Sequence, residues 1–300
     1  MTRLTSYLRF LLGTSLLLMA ACSEDENIRT DTQTNSNSNR PGTAYADRLE
    51  IPRLKEEEKN LFLVHSTKEH GVNMCIEWDC NKKAQRWTAF QMYNSNSVNT
   101  WNRNNWKDTK WGRDPFQEDT IIPAQYRTTL AQYQYSGGYN RGHICASADR
   151  LCSKDANEQT FYLSNIQPQI YKFNAGTWEE MEKQVRKWNT NSFRDTLYVV
   201  KGGTIDNAAQ LRPSTASGLL VPKYFFMAIL CKNQDPSQYG YKALGFWIEH
   251  KANSDKRLIN YAVSIDELEK NTGIDFFCNL PDYIEDAVER NLVPSAWGLK

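Results

Sequence analysis

From about residue 61 the chain passes from scattered polar residues to short apolar runs bounded by turn formers. Residues 61–65 and 73–78 have strand length and β-rich content, and Cys80-Asn81-Lys82-Lys83 reads as a turn into a third strand over 86–93. Residues 160–164, 197–200, 224–230 and 243–248 are further strand candidates, the second expected to stop at Gly202-Gly203. Trp178, Met181, Val185 and Trp188 fall at i, i+3, i+7 and i+10, one face of an amphipathic helix. Residues 265–270 and 283–291 are expected as shorter helices. Between residues 94 and 112 the chain is polar, with Trp101, Trp106 and Trp111 five apart, a spacing that suits neither helix nor strand and predicts an ordered loop. No internal repeat and no late linker interrupts this pattern. Interspersed strands and helices in one unit imply an α+β class.

The first residues read as an address. Arg3 and Arg9 flank a positive start, residues 10–21 are mostly apolar, and no acidic residue precedes Glu24. A membrane-spanning helix needs about 20 apolar residues, so this shorter run fits a secretory signal instead. Leu18-Met19-Ala20-Ala21-Cys22 resembles the lipobox of bacterial lipoproteins, in which the cysteine is acylated and becomes the mature N-terminus. Ser23-Glu24-Asp25-Glu26 resembles the acidic stretch that sends some Bacteroidetes lipoproteins to the cell surface. The expected organisation is a signal over 1–22, a solvated tether over 23–55 and one domain over 56–300. The expected location is outside the cytoplasm, lipid-anchored through Cys22 in the outer membrane or on the surface of a Gram-negative bacterium.

Composition narrows the classes. Hydrophobic residues at 40% and charged residues at 24% exclude a disordered chain, and a net charge of +1 excludes a histone-like or an acidic solvating one. A mean hydropathy of −0.67 excludes a polytopic membrane protein. The 9 Trp, 15 Tyr and 12 Phe point to a strand-rich core, a stacking surface or both. Besides Cys22 there are six cysteines, an even set that favours disulfides outside the cytoplasm. Short loops suggest Cys75 with Cys80 and Cys145 with Cys152, leaving Cys231 with Cys278. Zinc is disfavoured, because there is no CxxC pair and His65, His70, His143 and His250 are scattered.

Chemistry concentrates in Asn140-Arg141-Gly142-His143. Glycine permits close backbone approach, arginine presents a fork of donors to phosphate oxygens, and histidine can take a proton near neutral pH. Downstream stand Ser164-Asn165-Ile166-Gln167-Pro168-Gln169, then Asn174, Trp178, Glu182 and Arg186. These elements, in this order and spacing, resemble the DNA/RNA non-specific endonucleases, the ββα-metal nucleases that include a secreted Serratia enzyme and mitochondrial endonuclease G. One position departs from the family pattern: Asn140 stands where aspartate is usual, so any ion pair to Arg141 from that position is lost.

The resemblance implies a ββα-metal nuclease fold with a central, mainly antiparallel sheet flanked by helices. It also implies metal-dependent hydrolysis of DNA and RNA phosphodiesters, indifferent to sequence and sugar. His143 would be the general base, neutral and oriented by a hydrogen bond from its second nitrogen to a carbonyl. Asn174 would be the sole direct protein ligand of one Mg²⁺, with Mn²⁺ a possible substitute. Glu182 would hold metal-bound waters, Arg186 would hold Glu182, and Asn165 and Arg141 would address the phosphate. Arg113 is the candidate upstream phosphate-binding arginine, with Arg103 its rival. Arg103, Lys107, Lys110 and Arg113, interleaved with Trp101, Trp106 and Trp111, form either a basic stacking strip or a solvated face over core tryptophans. The alternative function is a non-catalytic nucleic-acid-binding surface lipoprotein on the same fold.

Overall fold

The computed structural model describes residues 34–103, 105, 114–134, 137–235 and 237–300. The lipobox with Cys22, and Trp106, Lys107, Lys110, Trp111 and Arg113, lie outside the described residues. Three strands open the fold as expected: β1 (Asn60–Thr67), β2 (Gly71–Asp79) and β3 (Ala84–Met92), the last two joined by the turn through Lys82. A short helix α1 (Leu130–Gln134) leads towards β4 (Asn140–His143), and helix α2 (Lys154–Gln159) towards β5 (Ile166–Gln169). Helix α3 (Glu179–Trp188) precedes β6 (Thr196–Gly203), a two-residue pair β7 (Leu211–Arg212) and β8 (Val221–Pro222), and the long strands β9 (Tyr224–Lys232) and β10 (Tyr241–Glu249). Strand β11 (Ala262–Val263) and helices α4 (Ile265–Thr272) and α5 (Asp282–Glu289) complete the order.

Strands β1-β2-β3-β6-β9-β10-β11 form one sheet in which every neighbouring pair is antiparallel. Its long strands look continuously apolar because both faces are covered. In β9, Phe225, Met227, Ile229 and Cys231 enter one core while Phe226, Ala228 and Leu230 enter the other, the period of two that a strand imposes. Helix α3 packs on the first face through Met181, Val185 and Trp188, with Trp178 just ahead of it. Burying each of these side chains is worth roughly 1.5–3 kcal/mol. Helices α4 and α5 cover the second face through Ile265, Leu268, Ile284 and Val288. Helix α4 is well bounded: Ser264 accepts from the Glu267 amide at its start, and Gly273 ends it at φ 68°.

Three expectations are corrected. Residues 160–164 form no strand; Leu163–Asn165 is a tight turn and β5 begins after it, because Ser164 and Asn165 spend their side chains on anchoring bonds. As expected, β6 stops at Gly202-Gly203, which are its last two residues. A Cβ on Gly202 would stand 2.7 Å from the Arg86 carbonyl, and Gly203 donates to Gln167 Oε1 at 2.8 Å, so glycine here serves close packing. The expected tether up to residue 55 is packed from Thr34 onward. Asn39 is buried, donates to the Ala46 and Pro52 carbonyls and accepts from the Leu54 amide, while Ile51 is fully buried in the second core. Polar composition hides this packing because its contacts are asparagine-to-backbone hydrogen bonds. Finally, the six cysteines are free and buried. Cys75 and Cys80 belong to cores on opposite faces of the sheet, so a bond between them would have to cross it. Cys231 lies in the first core, while the Cys278 thiol faces the Ile51 carbonyl and the Asn39 side chain. Cys145 and Cys152 flank the turn Ser147–Asp149, and both keep their thiols.

Candidate active site

A two-stranded ribbon, β4 against β5, presents the motif, pairing Arg141 with Pro168, Gly142 with Gln167 and His143 with Ile166. Gly142 is required by contact, since a Cβ would lie 2.1 Å from the side chain of Gln169, which is itself fully buried. His143 follows, a partly exposed residue. Phe116 and Phe161 hold it at centroid distances of 5.4 and 5.0 Å, and Trp178 Nε1 donates to its carbonyl at 3.4 Å. Nε2 of His143 is buried with no hydrogen-bond partner among the described residues. Two aromatic rings flank the imidazole. Burial, helped by the positive charges of Arg103, Arg141 and Lys201 and opposed by Asp149, pushes the His143 imidazole down to about 3. It is neutral at physiological pH.

Asn174 lies in a π-helical turn, Phe173–Trp178, that feeds directly into α3 and is broken by non-helical Gly176. Such turns re-aim side chains and recur at functional sites. Its backbone N–H donates to the Ile170 carbonyl, and its side chain is partly exposed. One and two turns further, Glu182 and Arg186 reach a buried charge cluster. Arg186 does not hold Glu182 by a hydrogen bond; its Nη1 donates to Asp149 Oδ1 at 2.7 Å. The partner of Glu182 is Lys201, whose Nζ stands 3.7 Å from Glu182 Oε1 and 3.4 Å from Asp149 Oδ2. Burial raises Glu182 to about 7, Asp149 adds to the rise, and Lys201 and Arg186 offset only part of it. Asp149 stays below the usual carboxylate range, because Lys201 and Arg186 outweigh its burial.

Asn165 does not face a phosphate. It is fully buried, accepts from the Cys145 amide at 2.9 Å, and donates to the Cys145 and Thr160 carbonyls at 2.9 and 2.8 Å. It pins the segment just after His143. A second pin is Asp119, whose Oδ2 lies 2.9 Å from His65 Nε2 and accepts from Ser164 Oγ at 2.5 Å, all three side chains being buried.

Residues 65–283 match the family model described as DNA/RNA non-specific endonuclease, a span that takes in every site residue above. The chain belongs to that family. It is 29% identical over 234 residues to a mitochondrial nuclease EXOG of Xenopus laevis, covering 75% of this chain and 62% of that protein, so it spans less than two thirds of that relative. It is 30% identical over 220 residues to a Nostoc nuclease, covering 71% and 74% of the two chains. A chain in the crystal structure of an EndoG/EndoGI complex shares the fold, with a TM-score of 0.60 at 20% identity, covering 74% of this chain and 88% of that one.

For a member of this family, the departure at Asn140 has a local answer. Arg141 Nη1 pairs with Asp114 Oδ2 at 2.7 Å, and its guanidinium lies 3.9 Å from the Phe116 ring centroid. The charge missing from the ribbon is supplied by a different segment. Asp149, Lys201 and Asp114 were not singled out by their sequence context. Lys201 had a signal: it shares its strand face with Leu197 and Val199, the only charge in an otherwise apolar β6. The donors expected to serve a metal fit a hard cation. Asn174 offers a partly exposed amide oxygen and Glu182 a carboxylate, and Mg²⁺ or Mn²⁺ prefers oxygen and keeps several waters.

Proposed function

We propose that this chain hydrolyses phosphodiester bonds of DNA and RNA endonucleolytically, without regard to sequence or sugar, with His143 taking the proton of the attacking water. What supports this reading is a His143 imidazole kept neutral by burial and by the combined positive charge of Arg103, Arg141 and Lys201. A phosphate diester entering this field is attracted, and its own negative charge offsets the cations that depress His143, restoring basicity when substrate is present. Arg141 faces the phosphate once it exchanges its exposed Asp114 partner, a pair worth no more than about 1 kcal/mol. Phosphate contacts carry no base information, which accounts for indifference to sequence. Mg²⁺, or Mn²⁺ in its place, would be held by Asn174 and through water by Glu182, stabilising charge on the phosphate and the leaving oxygen. Lys201 and Asp149 keep the Glu182 carboxylate in position.

Incubating the purified chain with supercoiled plasmid and with structured RNA, with and without Mg²⁺ or EDTA, tests this reading. Both substrates should fall to short fragments without discrete bands, only when metal is present. Survival of RNA, a fixed band pattern or undiminished cleavage in EDTA would defeat it. The lipobox supports anchoring through Cys22, and Cys22→Ser should move the protein out of the membrane fraction. Unchanged fractionation would count against the anchor.

A further inference from the structure

Across the sheet from His143, α4 and α5 border an open cleft of about 570 Å³ in which seven of nine lining residues are Asp or Glu and none is basic. Three carboxylates converge there: Asp266 and Glu269, one turn apart on α4, and Glu289, the last residue of α5, have oxygens within 4.8 Å of one another. Two of their neighbours are already engaged, since Asn37 Nδ2 donates to Glu285 Oε1 at 2.8 Å and to Asp275 Oδ2 at 3.3 Å. Glu269 accepts from the Phe276 amide through Oε1. Glu289 is different. It is only 5% exposed, lines the cleft, and its Oε1 is buried with no hydrogen-bond partner among the described residues. An ionised carboxylate buried without a partner is costly, and two more beside it repel it.

We propose that Asp266, Glu269 and Glu289 form a Ca²⁺ site, separate from the catalytic centre, that clamps α4 to α5. An all-carboxylate donor set suits a hard divalent cation, and the absence of thiol and imidazole among these donors disfavours softer metals. Mg²⁺ is usually held by one or two carboxylates and keeps its waters, whereas Ca²⁺ accepts several carboxylate oxygens in a flexible geometry, so three convergent carboxylates favour calcium. The cation supplies the partner that Glu289 Oε1 lacks. Because Asn37 joins Asp275 and Glu285 beside the site, cation binding also steadies the N-terminal segment where it runs along the cleft.

The test is calorimetric titration and thermal melting of the EDTA-stripped full chain with CaCl₂ and MgCl₂, alongside Glu289→Gln and Asp266→Asn. Wild type should bind one Ca²⁺ at this site, with a rise in Tm of roughly 5 °C at a hundred times the dissociation constant. Both variants should bind Ca²⁺ at least about tenfold more weakly and lose the rise in Tm, while cleavage in Mg²⁺ stays at the wild-type rate. Asp266 is exposed, so its variant keeps the test decisive if Glu289→Gln fails to fold. Undiminished Ca²⁺ binding by Asp266→Asn, no Ca²⁺ effect on wild type, or an equal rise with Mg²⁺ would overturn the proposal.

Discussion

His143→Ala is expected to lower kcat by about 10²–10⁴-fold while leaving affinity for nucleic acid near the wild-type value. The reason lies in how the ring is held. Its neighbours are Phe116 and Phe161, and Nε2 has no hydrogen-bond partner among the described residues, so removing the imidazole deletes a proton acceptor without breaking the β4–β5 ribbon. The phosphate-attracting charges of Arg103 and Arg141 remain. Single-turnover cleavage, with anisotropy binding to a non-cleavable DNA, separates the two effects, and near-wild-type turnover would sink the assignment. The pH dependence follows from the lowered imidazole. A base must be neutral to act, and His143 in the free protein is neutral above about 3, so kcat/KM should show no His143 acid limb near pH 6.5. For stability the sign is the same. The folded state binds this proton more weakly than the unfolded chain, so the His143 contribution is intact above pH 6.5 and is lost as pH falls towards about 3.

Asp149→Asn is expected to destabilise the fold by about 3–5 kcal/mol, lowering Tm by roughly 10 °C. Asp149 and Lys201 are both fully buried, and with the carboxylate neutralised Lys201 keeps, among the described residues, only Glu182 at 3.7 Å. Arg186 loses its 2.7 Å hydrogen bond to a charged partner as well. The cost is that of an uncompensated buried charge, so adding Lys201→Met should recover part of it even though a further ion is removed. Denaturant melts of the single and double variants measure this directly. A Tm within about 2 °C of wild type for Asp149→Asn would mean that the cluster is not the stabilising element described here.

The helical face of α3 and the long strands were legible because both are local. Trp178, Met181, Val185 and Trp188 recur at helical spacing whatever they pack against, and β9 is apolar enough to declare itself buried on both faces. Spacing also located His143, Asn174, Glu182 and Arg186. What misled was reading partners from proximity in sequence. Glu182 and Arg186 are one turn apart, the ordinary helical ion-pair spacing, yet Arg186 reaches across to Asp149. Asn165 stands in the motif but points into the protein, where its bonds to backbone hold the loop.

By itself, then, the sequence determined the α+β class, the family and the order of the site residues along the chain, all properties carried by short-range period and spacing. The tertiary structure alone decided which charge meets which. Asp114 answers Arg141 from 27 residues away, Lys201 meets Asp149 from 52 residues away, and Glu289 joins Asp266 and Glu269 at the end of a different helix. It also left the six cysteines unpaired, placing Cys75 and Cys80 on opposite faces of one sheet and Cys145 and Cys152 on either side of a tight turn. The physical reason is common to all of these. Pairing energies depend on separations of a few ångströms and on burial, and both arise only once strand register and helix docking have brought distant segments together.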